Sequence, residues 1–466
     1  MTPEIVVIDK YTVEAQTIAP MHIGSGEKDT NEILIHPIWD RPFIQASGIA
    51  GALRAVSEAV NGTKVTQELF GGPHLEKDDS PMDVKSRLRI SDGMFDPKTV
   101  HLEFRPRVRV SRRTGSVSSG TISGSGMDAG HKFEMEMIGS GARLCFTVYL
   151  RYEQKESLRD AFEAVLAECM SGRVRFGGQK SNGNGAFHVC RLYRCSFDMS
   201  NELHRKAWGV ESLSFNPDFN GKNGEEPAGQ LINPVPKQGS SSAVRYEVNV
   251  AAKTEGALLV KGISAEDFGA GAPDAENMRN AAGEYIVPGS SLKGALRSRM
   301  EQLADMLGKK SLVTSVFGTV SGGAKNSRGI LMVQDVIVSG KDRSKQELLQ
   351  HRIHIDKFTS GVIQSGLFSE KTVSGNLSMH IDIENRNDPD AAAGLLVLAF
   401  RDLAIGAFNI GSGYSVGRGF VDVKLLQLKS VGDGKTAEID FETGIITDES
   451  HLLDRCLQAL NGWEER

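Results

Sequence analysis

The sequence has few cysteines, and none of them stands in a metal-binding or disulfide pattern. Five cysteines occur among 466 residues, and no two have the close spacing typical of zinc or redox motifs. A sparse and odd set of thiols is typical of a reducing compartment and argues against a disulfide framework. We therefore expect reduced thiols and a cytoplasmic protein.

Long hydrophobic runs and an excess of positive charge are also missing. No stretch approaches the length of about eighteen apolar residues that crosses a membrane, so no membrane partner is expected. The opening residues, MTPEIVVIDKYTVEAQ, lack the basic, apolar and cleavage segments of a secretory signal. The net charge is −5, which does not indicate a nucleic-acid binder, although it describes the average surface and not a site.

Several catalytic motifs are absent as well. The sequence has no Ser–His–Asp or HExxH arrangement, and its glycine-rich segments match neither a P-loop nor a dinucleotide-binding fingerprint. Both of the most glycine-rich loops precede a strand, whereas those two motifs open a helix.

What the sequence does contain is an internal repeat with a period of roughly 245 residues. Each copy has the order strand, helix, strand, strands, helix and strand, which resembles a ferredoxin-like unit. Five blocks recur in one order: Arg41–Val60 with Gly283–Gly308, Leu69–Phe95 with Val316–Val338, Arg107–Gly115 with Arg352–Gly361, Phe133–Leu150 with Phe368–Glu384, and Phe176–Val189 with Ile410–Val423. The sequence therefore predicts an α+β protein made of two tandem units.

The repeat also suggests domain limits. We expect a first unit at 1–197, a polar linker at 198–242, a second unit at 243–428 and an extension at 429–466. The linker is rich in Asn, Gly, Pro and Ser, which favours an extended loop. The extension is expected to form a strand pair and a helix that cap the second unit.

Local signals refine these units. Ser47 in the first copy and Ser290 or Ser291 in the second suit a helix N-cap, because a serine hydroxyl accepts hydrogen bonds from free helical N–H groups. In the second block, Arg87–Phe95 and Arg328–Val338 each predict one strand, with Asp92 matching Asp335.

Two glycine loops, at 177–185 and 411–419, are the first candidate site. Glycine brings backbone N–H groups close to a ligand, so such loops with Lys180 or Arg418 are able to cradle phosphates. A tight turn is the simpler interpretation of one loop, and the duplication of both loops weakens it.

A basic strand is the second candidate. Arg105, Arg107, Arg109, Arg112 and Arg113 form the densest positive run of the sequence. They fit either a solvated edge strand or a track for phosphates. The glycine-rich segment 115–131 that follows has the composition of a projecting hairpin tip, which we expect to bend over a nucleic-acid strand.

Carboxylates before the first helix of each copy form the third candidate. They are Glu27, Asp29 and Glu32 in the first copy, and Glu266, Asp267, Asp274 and Glu276 in the second. A loop carboxylate is usually solvated or forms a turn, but it also binds hard cations or acts as an acid or base. Spacing alone does not separate these roles.

These residues resemble the RAMP superfamily of CRISPR effector proteins, and the chain looks like a tandem fusion of two type III backbone subunits. The resemblance rests on His22-Ile23-Gly24, the segment from Tyr285 to Arg297, the Phe-Gly pairs, the R-I-H-I-D strand and the glycine loops. The second copy has the more typical Pro-Gly-Ser-Ser turn, where the first has Gln-Ala-Ser-Gly.

The resemblance implies a ferredoxin-like (RRM-like) core with a β-hairpin thumb insertion in each unit. It implies guide RNA, target RNA and other CRISPR effector subunits as partners. A loop aspartate would cleave target RNA with Mg²⁺ or another divalent cation. By position that aspartate is Asp274, and in the first copy Asp29 is the nearest carboxylate, which would also hold the metal.

The candidates for RNA contact follow from these motifs and from the basic strand. They are His22, Arg54, Arg107, Arg109, Arg112, Lys180, Ser290, Ser291, Lys293, Arg297, Arg352, His354 and Arg418. Two alternatives to target cleavage stay open. One is a non-catalytic guide-RNA scaffold, and the other is a guide-processing endoribonuclease, for which no histidine is well placed.

Overall fold

The structure, a computed structural model, describes most of the chain. The described residues are 6–24, 32–72, 85–107, 133–154, 157–211, 229–236, 241–262, 273–319, 327–340 and 346–464, with the backbone alone at 107, 133, 211, 364 and 365. Asp29, Arg109, Arg112 and the predicted hairpin tip at 115–131 lie outside the described residues, and of Arg107 only the backbone is described.

The chain divides into two compact units. The first comprises Met1–Leu102, Met137–Lys180 and Asn184–Ala243. The second comprises Glu103–Glu136, Ser181–Gly183 and Val244–Arg466. Two short segments of the first repeat are therefore part of the second unit, a division that a linear reading of the sequence does not predict.

The first unit is built on one antiparallel sheet. The elements of the first repeat are β1 Val6–Thr17, β2 Phe43–Ile44, α1 Ala46–Phe70, β3 Leu88–Ile90, β4 Gly93–Phe95, β5 Leu102–Arg107, β6 Phe133–Ile138, β7 Arg143–Glu153, α2 Leu158–Met170, β8 Phe187–Asp198, α3 Glu202–Glu211 and β9 Gln230–Leu231. Most of β5 and β6, which pair with each other in a separate sheet, belongs to the second unit. The sheet order is β2-β4-β7-β1-β8-β9, and β3 also pairs with β7. β1 is antiparallel to both β7 and β8, as in a ferredoxin-like unit.

The alternation of buried and partly exposed side chains along β1 shows which face of this sheet is covered. Tyr11, Val13 and Ala15 are buried, while the residues between them are partly exposed. Because successive side chains of a strand point to opposite faces, one face packs against α1 and α2. Ile49 and Phe162 are the fully buried members of those helices in the same core.

The predicted linker contains a helix in its described part. α3 places Trp208 against Tyr149 and Phe197, with ring centroids 5.4 Å apart in both pairs. These aromatic contacts cover one end of the second sheet face of the first unit. The polar composition of this segment predicted an extended loop. It did not reveal the helix, because Trp208 alone makes the aromatic contacts that anchor α3 to the sheet.

The second unit repeats this topology. Its elements are β10 Val244–Thr254, β11 Ala275–Glu276, β12 Ile286–Val287, α4 Gly289–Met306, α5 Leu312–Phe317, β13 Gly318–Thr319, β14 Ser327–Arg328, β15 Leu331–Val333, β16 Val336–Ser339, β17 Glu347–Ile355, β18 Val362–Val373, β19 Asn376–Glu384, α6 Pro389–Ala404, β20 Val421–Ser430, β21 Thr436–Asp440, β22 Ile446–Thr447 and α7 Leu452–Asn461. The main sheet has the order β12-β16-β19-β10-β20-β21-β22. The predicted α+β class with two ferredoxin-like units is confirmed.

The strand pair and the helix predicted for the extension are present. β21 pairs with β20, and β22 pairs with β21. α7 buries Leu452, Cys456 and Leu460 against the core of the second unit. A Cβ on Gly394 of α6 would lie 2.6 Å from the Cys456 carbonyl oxygen, so the two helices approach closely because glycine stands there.

The helix caps differ from the prediction. The N-cap residues of α1 and α4 are Gln45 and Pro288, and neither side chain caps its helix. The Ala46 N–H donates to Asp92 Oδ1 at 2.7 Å, and the Gly289 N–H donates to Asp335 Oδ1 at 2.8 Å. The serine prediction was wrong because a carboxylate distant in sequence supplies the acceptor.

Those aspartates also explain a second difference. Each segment predicted as one strand is two short strands, β3 and β4 or β15 and β16, with Asp92 or Asp335 between them. The break turns the carboxylate toward the helix N-terminus, where the helix dipole favours negative charge.

β17 and β18 form the long hairpin inserted in the second unit. Their register runs from Glu347–Val373 to Ile355–Val362. Asp356 closes the tip, since its carboxylate accepts the backbone N–H groups of Phe358 and Thr359. The short strand β11 lies parallel to the base of β18.

Candidate nucleic-acid interface

The two glycine loops have matching backbones. The Gly178 and Gly185 N–H groups donate to the carbonyls of His22 and Pro20, and the Ser412 and Gly419 N–H groups donate to Leu259 and Ala257 in the same way. Gly185 and Gly419 have φ near +79° and +76°. A Cβ would lie 1.8 Å or 2.0 Å from a carbonyl oxygen of its own loop. Backbone geometry therefore requires these glycines, and the N–H groups named here already have partners.

The side chains of the two loops differ, most of all in charge and burial at one position. Arg418, between Gly417 and Gly419, occupies the position of Asn184 in the first loop. Arg418 is 3% exposed. Its Nη1 donates to Glu370 Oε2 at 2.7 Å, and its Nη2 donates to Gln350. The arginine thus ties the second glycine loop to both strands of the hairpin.

Glu370 on β18 is the centre of a basic cluster. Besides Arg418, its carboxylate lies 3.5 Å from Arg352 Nη1 and 3.6 Å from Lys261 Nζ. One buried carboxylate thus faces three cations, which leaves an excess of positive charge at the hairpin base. We call Lys261, Arg352, Glu370 and Arg418 the basic cluster.

Asp274 lies next to this cluster in the strand register. It precedes Ala275, which pairs with Glu370. Asp274 Oδ2 accepts the Ser369 N–H at 2.6 Å and the Ser369 hydroxyl at 3.2 Å. These hydrogen bonds, the backbone one above all, hold the pKa of the Asp274 carboxyl below its usual value. The carboxylate is exposed and ionised at neutral pH.

A second network braces the hairpin base. Arg279 contacts Glu276 and the Tyr285 hydroxyl, which in turn donates to Glu347 Oε1 at 2.6 Å. Lys371 Nζ lies 2.7 Å from Glu347 Oε2. Burial raises the pKa of Glu347, but the bonds from Lys371 and Tyr285 outweigh it and lower that pKa. Both strands of the hairpin are therefore fixed where they leave the unit.

The outer hairpin exposes apolar side chains and aromatic rings. Phe358 at the tip is 96% exposed. His354 stacks on Phe368 with ring centroids 5.0 Å apart. The exposed aliphatic side chains of the two strands are Leu348, Leu349, Ile353, Ile355, Val362, Ile363 and Leu367. Such a surface suits stacking with bases or contact with a partner better than a solvated hairpin.

The predicted contacts on α4 have different environments. Ser290 and Ser291 are half-buried in its first turn. Lys293 is 9% exposed, and its ammonium donates to the carbonyls of Ser181 and Leu331 at 3.0 Å and 2.9 Å. Arg297 pairs with Glu301 at 2.9 Å and lies over the Phe317 ring. The Lys293 side chain thus holds two backbone segments, at Ser181 and at Leu331, in place.

Arg105 is the member of the predicted basic strand whose side chain the structure describes, and it is buried. Arg105 forms ion pairs with Glu103 at 2.7 Å and with Asp335 at 2.6 Å inside the second unit. Glu103 also accepts the Ala281 N–H at 2.8 Å. The position is therefore neither the solvated edge nor the phosphate track that the charge pattern suggested, because both partners of Arg105 are carboxylates.

The remaining candidates lie in the first unit. His22 accepts the Gly178 N–H through its backbone carbonyl. Lys180 opens a short 3₁₀ turn in the glycine loop. Arg54 forms an i,i+4 pair with Glu58 at 3.6 Å, matching the pair of Arg297 with Glu301. The RNA contacts of these three residues stay predictions.

A sequence model of the RAMP superfamily matches residues 14–188 and 253–422. This chain belongs to the RAMP superfamily. The two matched regions fall on the two repeats, so the protein is a tandem RAMP protein. Membership supports a CRISPR-associated role in RNA binding. A comparison with curated proteins found no match, and no helix in the described ranges is long and apolar enough to cross a membrane.

Sequence reasoning missed three residues of the candidate site. Ser369 contacts Asp274, which lies far from it in sequence. Glu370 contacts the predicted Arg352 and Arg418, and Lys261 contacts Glu370. The only available signal was the run of polar residues in FSEKTVSG, which is unusual for a core strand. A strand on a projecting hairpin explains that run.

Metal binding would depend on few protein ligands. Among the described residues, no group of three or more His, Cys, Asp or Glu side chains is arranged to hold a metal ion. Mg²⁺ is commonly bound by one or two carboxylates together with substrate phosphates. The exposed carboxylate of Asp274 fits that mode, in which RNA would supply the other ligands.

Proposed function

We propose that this RAMP protein is a backbone subunit of a type III CRISPR effector complex, where it binds guide RNA and cleaves target RNA at Asp274. The supporting observation is the position of Asp274. An exposed, ionised carboxylate is bonded to the base of a long hairpin, beside a basic cluster with excess positive charge. Phosphates attracted to the cluster would lie near the carboxylate.

The chemistry follows from RNA itself. The 2′-oxygen attacks the neighbouring phosphorus, the bond from phosphorus to the 5′-oxygen breaks, and the products are a 2′,3′-cyclic phosphate and a 5′-hydroxyl. The 2′-hydroxyl proton is lost to solvent, and the 5′-oxygen takes up a proton. A divalent cation, when bound, stabilises negative charge on the phosphate. Because its pKa is lowered, Asp274 is a weak base and is better suited to holding that cation.

The hairpin would position the strand. Arg352 on β17 and Arg418 in the glycine loop lie on one carboxylate, so the base of the hairpin is rigid. The exposed Phe358 at its tip offers a stacking surface. A rigid base with an aromatic tip would hold the scissile linkage in one geometry near Asp274.

The test is target cleavage by the assembled complex carrying Asp274→Ala. We expect one cleavage product to be lost, with its rate falling about a hundredfold or more, while RNA binding changes little. Asp305→Ala is the matched control, since Asp305 is an exposed carboxylate on α4. Cleavage at every position by the Asp274 variant would contradict the assignment, and EDTA should stop wild-type cleavage.

A non-catalytic scaffold is the second candidate, favoured by the same hydrogen bonds. Asp274 accepts two bonds from Ser369 and thereby fastens its loop to β18. Asp274→Asn keeps an oxygen acceptor for Ser369 but removes the charge. Unchanged cleavage by this variant, with lost guide binding in Asp274→Ala, would support the scaffold.

A further inference from the structure

A cavity on the second sheet face of the first unit has no role in the function proposed above. Its volume is about 550 Å³. Charged residues dominate its lining, with four cations against two carboxylates: Arg41, Lys98, Arg143 and Arg191, and Glu14 and Asp96. α3 covers one end of this face through Trp208, and the cavity lies at the opposite end.

The strand register arranges the cations in a row across the sheet. Arg143 on β7 lies opposite Gln16 of β1, and Arg191 on β8 lies opposite Glu14. Arg41 precedes β2 at the far side. Four strand spacings separate β2 from β8 in the order β2-β4-β7-β1-β8, so the row is roughly 19 Å long.

Three of the four cations form no ion pair within the described residues. Arg191 lies 3.7 Å from Glu14. Arg41, Lys98 and Arg143 form no ion pair with the part of the chain that the structure describes. The Nε of Arg41 is buried and has no hydrogen-bond partner in those ranges either. A buried guanidinium nitrogen without an acceptor is costly and is commonly satisfied by an anion or by water.

The second unit provides an internal comparison. β8 and β20 each contain a β-bulge at the same place in the repeat, opposite Glu14/Ala15 of β1 and opposite Ala251/Ala252 of β10. This shared bulge fixes which residues of the two repeats correspond. Arg143 corresponds to Asn376 and Arg191 to Leu425, and Arg41 corresponds to Glu284. The arginines of the row are thus specific to the first repeat. The second repeat instead has Lys253 at the position of Gln16 and Lys424 at the position of Cys190, and Lys424 is paired with Asp422 and Glu442.

We propose that this cation row is a second RNA site, which binds the phosphodiester backbone of a single strand along the face of the first unit. The row has the length of several phosphates and the planar donors that suit phosphate oxygens. Few base-reading groups line it, so binding would be independent of sequence. The proposal rests on the RNA-binding role of the protein and adds a site remote in sequence from Asp274.

The first experiment measures binding of single-stranded RNA to the full-length protein by fluorescence anisotropy over a range of KCl concentrations. Arg143→Gln/Arg191→Gln should weaken binding about tenfold per arginine. The slope of log K against log salt should fall by about 1.4 in magnitude, because about 0.7 is lost per phosphate contact on a single strand. Arg151→Gln, at the other exposed end of β7, is the matched control and should bind as wild type.

The second experiment needs no substitution. Cys190 lines the cavity and is the exposed cysteine of the protein's described residues. RNA bound along the row should slow alkylation of Cys190 severalfold, as measured by mass spectrometry of its peptide. Inorganic phosphate and a mononucleotide, added in place of RNA, distinguish a backbone site from a site for a small phosphorylated ligand.

The outcomes separate this inference from the proposed function. If wild type binds RNA and the double variant binds equally with the same salt slope, the second site is wrong and the proposed function stands. If wild type binds no RNA, both the proposed function and the second site fail. Protection of Cys190 by phosphate alone would contradict the RNA backbone as the occupant. Thermal unfolding of each variant shows that a loss of binding is not a loss of folding.

Discussion

The two glycine loops have one backbone and different side chains. Gly177, Gly183 and Gly185 have nearly the same positive φ values as Gly411, Gly417 and Gly419. Between the last two glycines the first loop has Asn184 and the second has Arg418. The comparison teaches that the two repeats share the backbone conformation of the loop, whereas each repeat has its charged side chains at different positions. The second unit concentrates cations at its hairpin base, and the first concentrates them on its sheet face.

The largest expected effect tests whether the shared backbone is essential in both units. Gly185→Ala and Gly419→Ala each place a Cβ within about 2 Å of a carbonyl oxygen at positive φ. Each should lower the free energy of unfolding by about 4 kcal/mol in urea titrations. The matched controls are Gly51→Ala and Gly294→Ala, at equivalent open sites of α1 and α4. Equal effects of control and loop variants would refute the explanation.

The next effect tests the side chain that differs. Glu370→Gln leaves the buried Arg418 without its carboxylate, which should destabilise the second unit by about 3 kcal/mol. Arg418→Asn, which imitates the first loop, should recover part of this loss when combined with Glu370→Gln. A double-mutant cycle from urea unfolding measures the coupling, and additive effects would mean that the pair is not coupled.

Lys293 gives a pH-dependent comparison, because the first repeat has Ala50 in its place. Burial, with Arg297 and Arg328 nearby, lowers the pKa of Lys293 to about 7 from 10.5. The unfolded chain therefore binds more protons than the native one between these values, so stability rises with pH across that window. Relative to Lys293→Met, wild type should gain about 3 kcal/mol between pH 7 and pH 10.

The measurement for Lys293 is urea unfolding at several pH values. Lys253→Met is the control, since Lys253 is exposed on β10. A parallel pH dependence of wild type and Lys293→Met would show that the buried ammonium is not the titrating group.

The smallest effect tests a feature that the repeats share. The pairs Arg54–Glu58 and Arg297–Glu301 are partly exposed i,i+4 pairs at the same place on α1 and α4. Glu58→Ala and Glu301→Ala should each change the free energy of unfolding by only about 0.3 kcal/mol. Losses above 1 kcal/mol in thermal or urea unfolding would assign these glutamates another role.

The sequence predicted the duplicated fold, and it named some of the residues that meet in the candidate site. The order of strands and helices, the Phe-Gly turns and the glycine loops follow from local patterns. The prediction of serine helix caps was wrong, because Asp92 and Asp335 accept the hydrogen bonds of the helix N-termini from more than forty residues away in the chain. Asp274 was found by resemblance alone. Its partner Ser369 lies 95 residues away in sequence, and no spacing rule joins the two.

The sequence by itself determined the repeat, the α+β class and the positions where only glycine fits, because hydrophobic periodicity and backbone sterics are local. Only the tertiary structure determined which charged side chains are buried and which partners they have. In the sequence, nothing distinguishes Arg418 and Lys293 from exposed cations. In the structure both are buried: Arg418 pairs with Glu370, and Lys293 donates to two backbone carbonyl groups. Arg41, Arg143 and Arg191 are scattered in sequence and form one row only when the strand register brings them together. Burial and partner choice depend on contacts between distant segments, which a one-dimensional pattern does not contain.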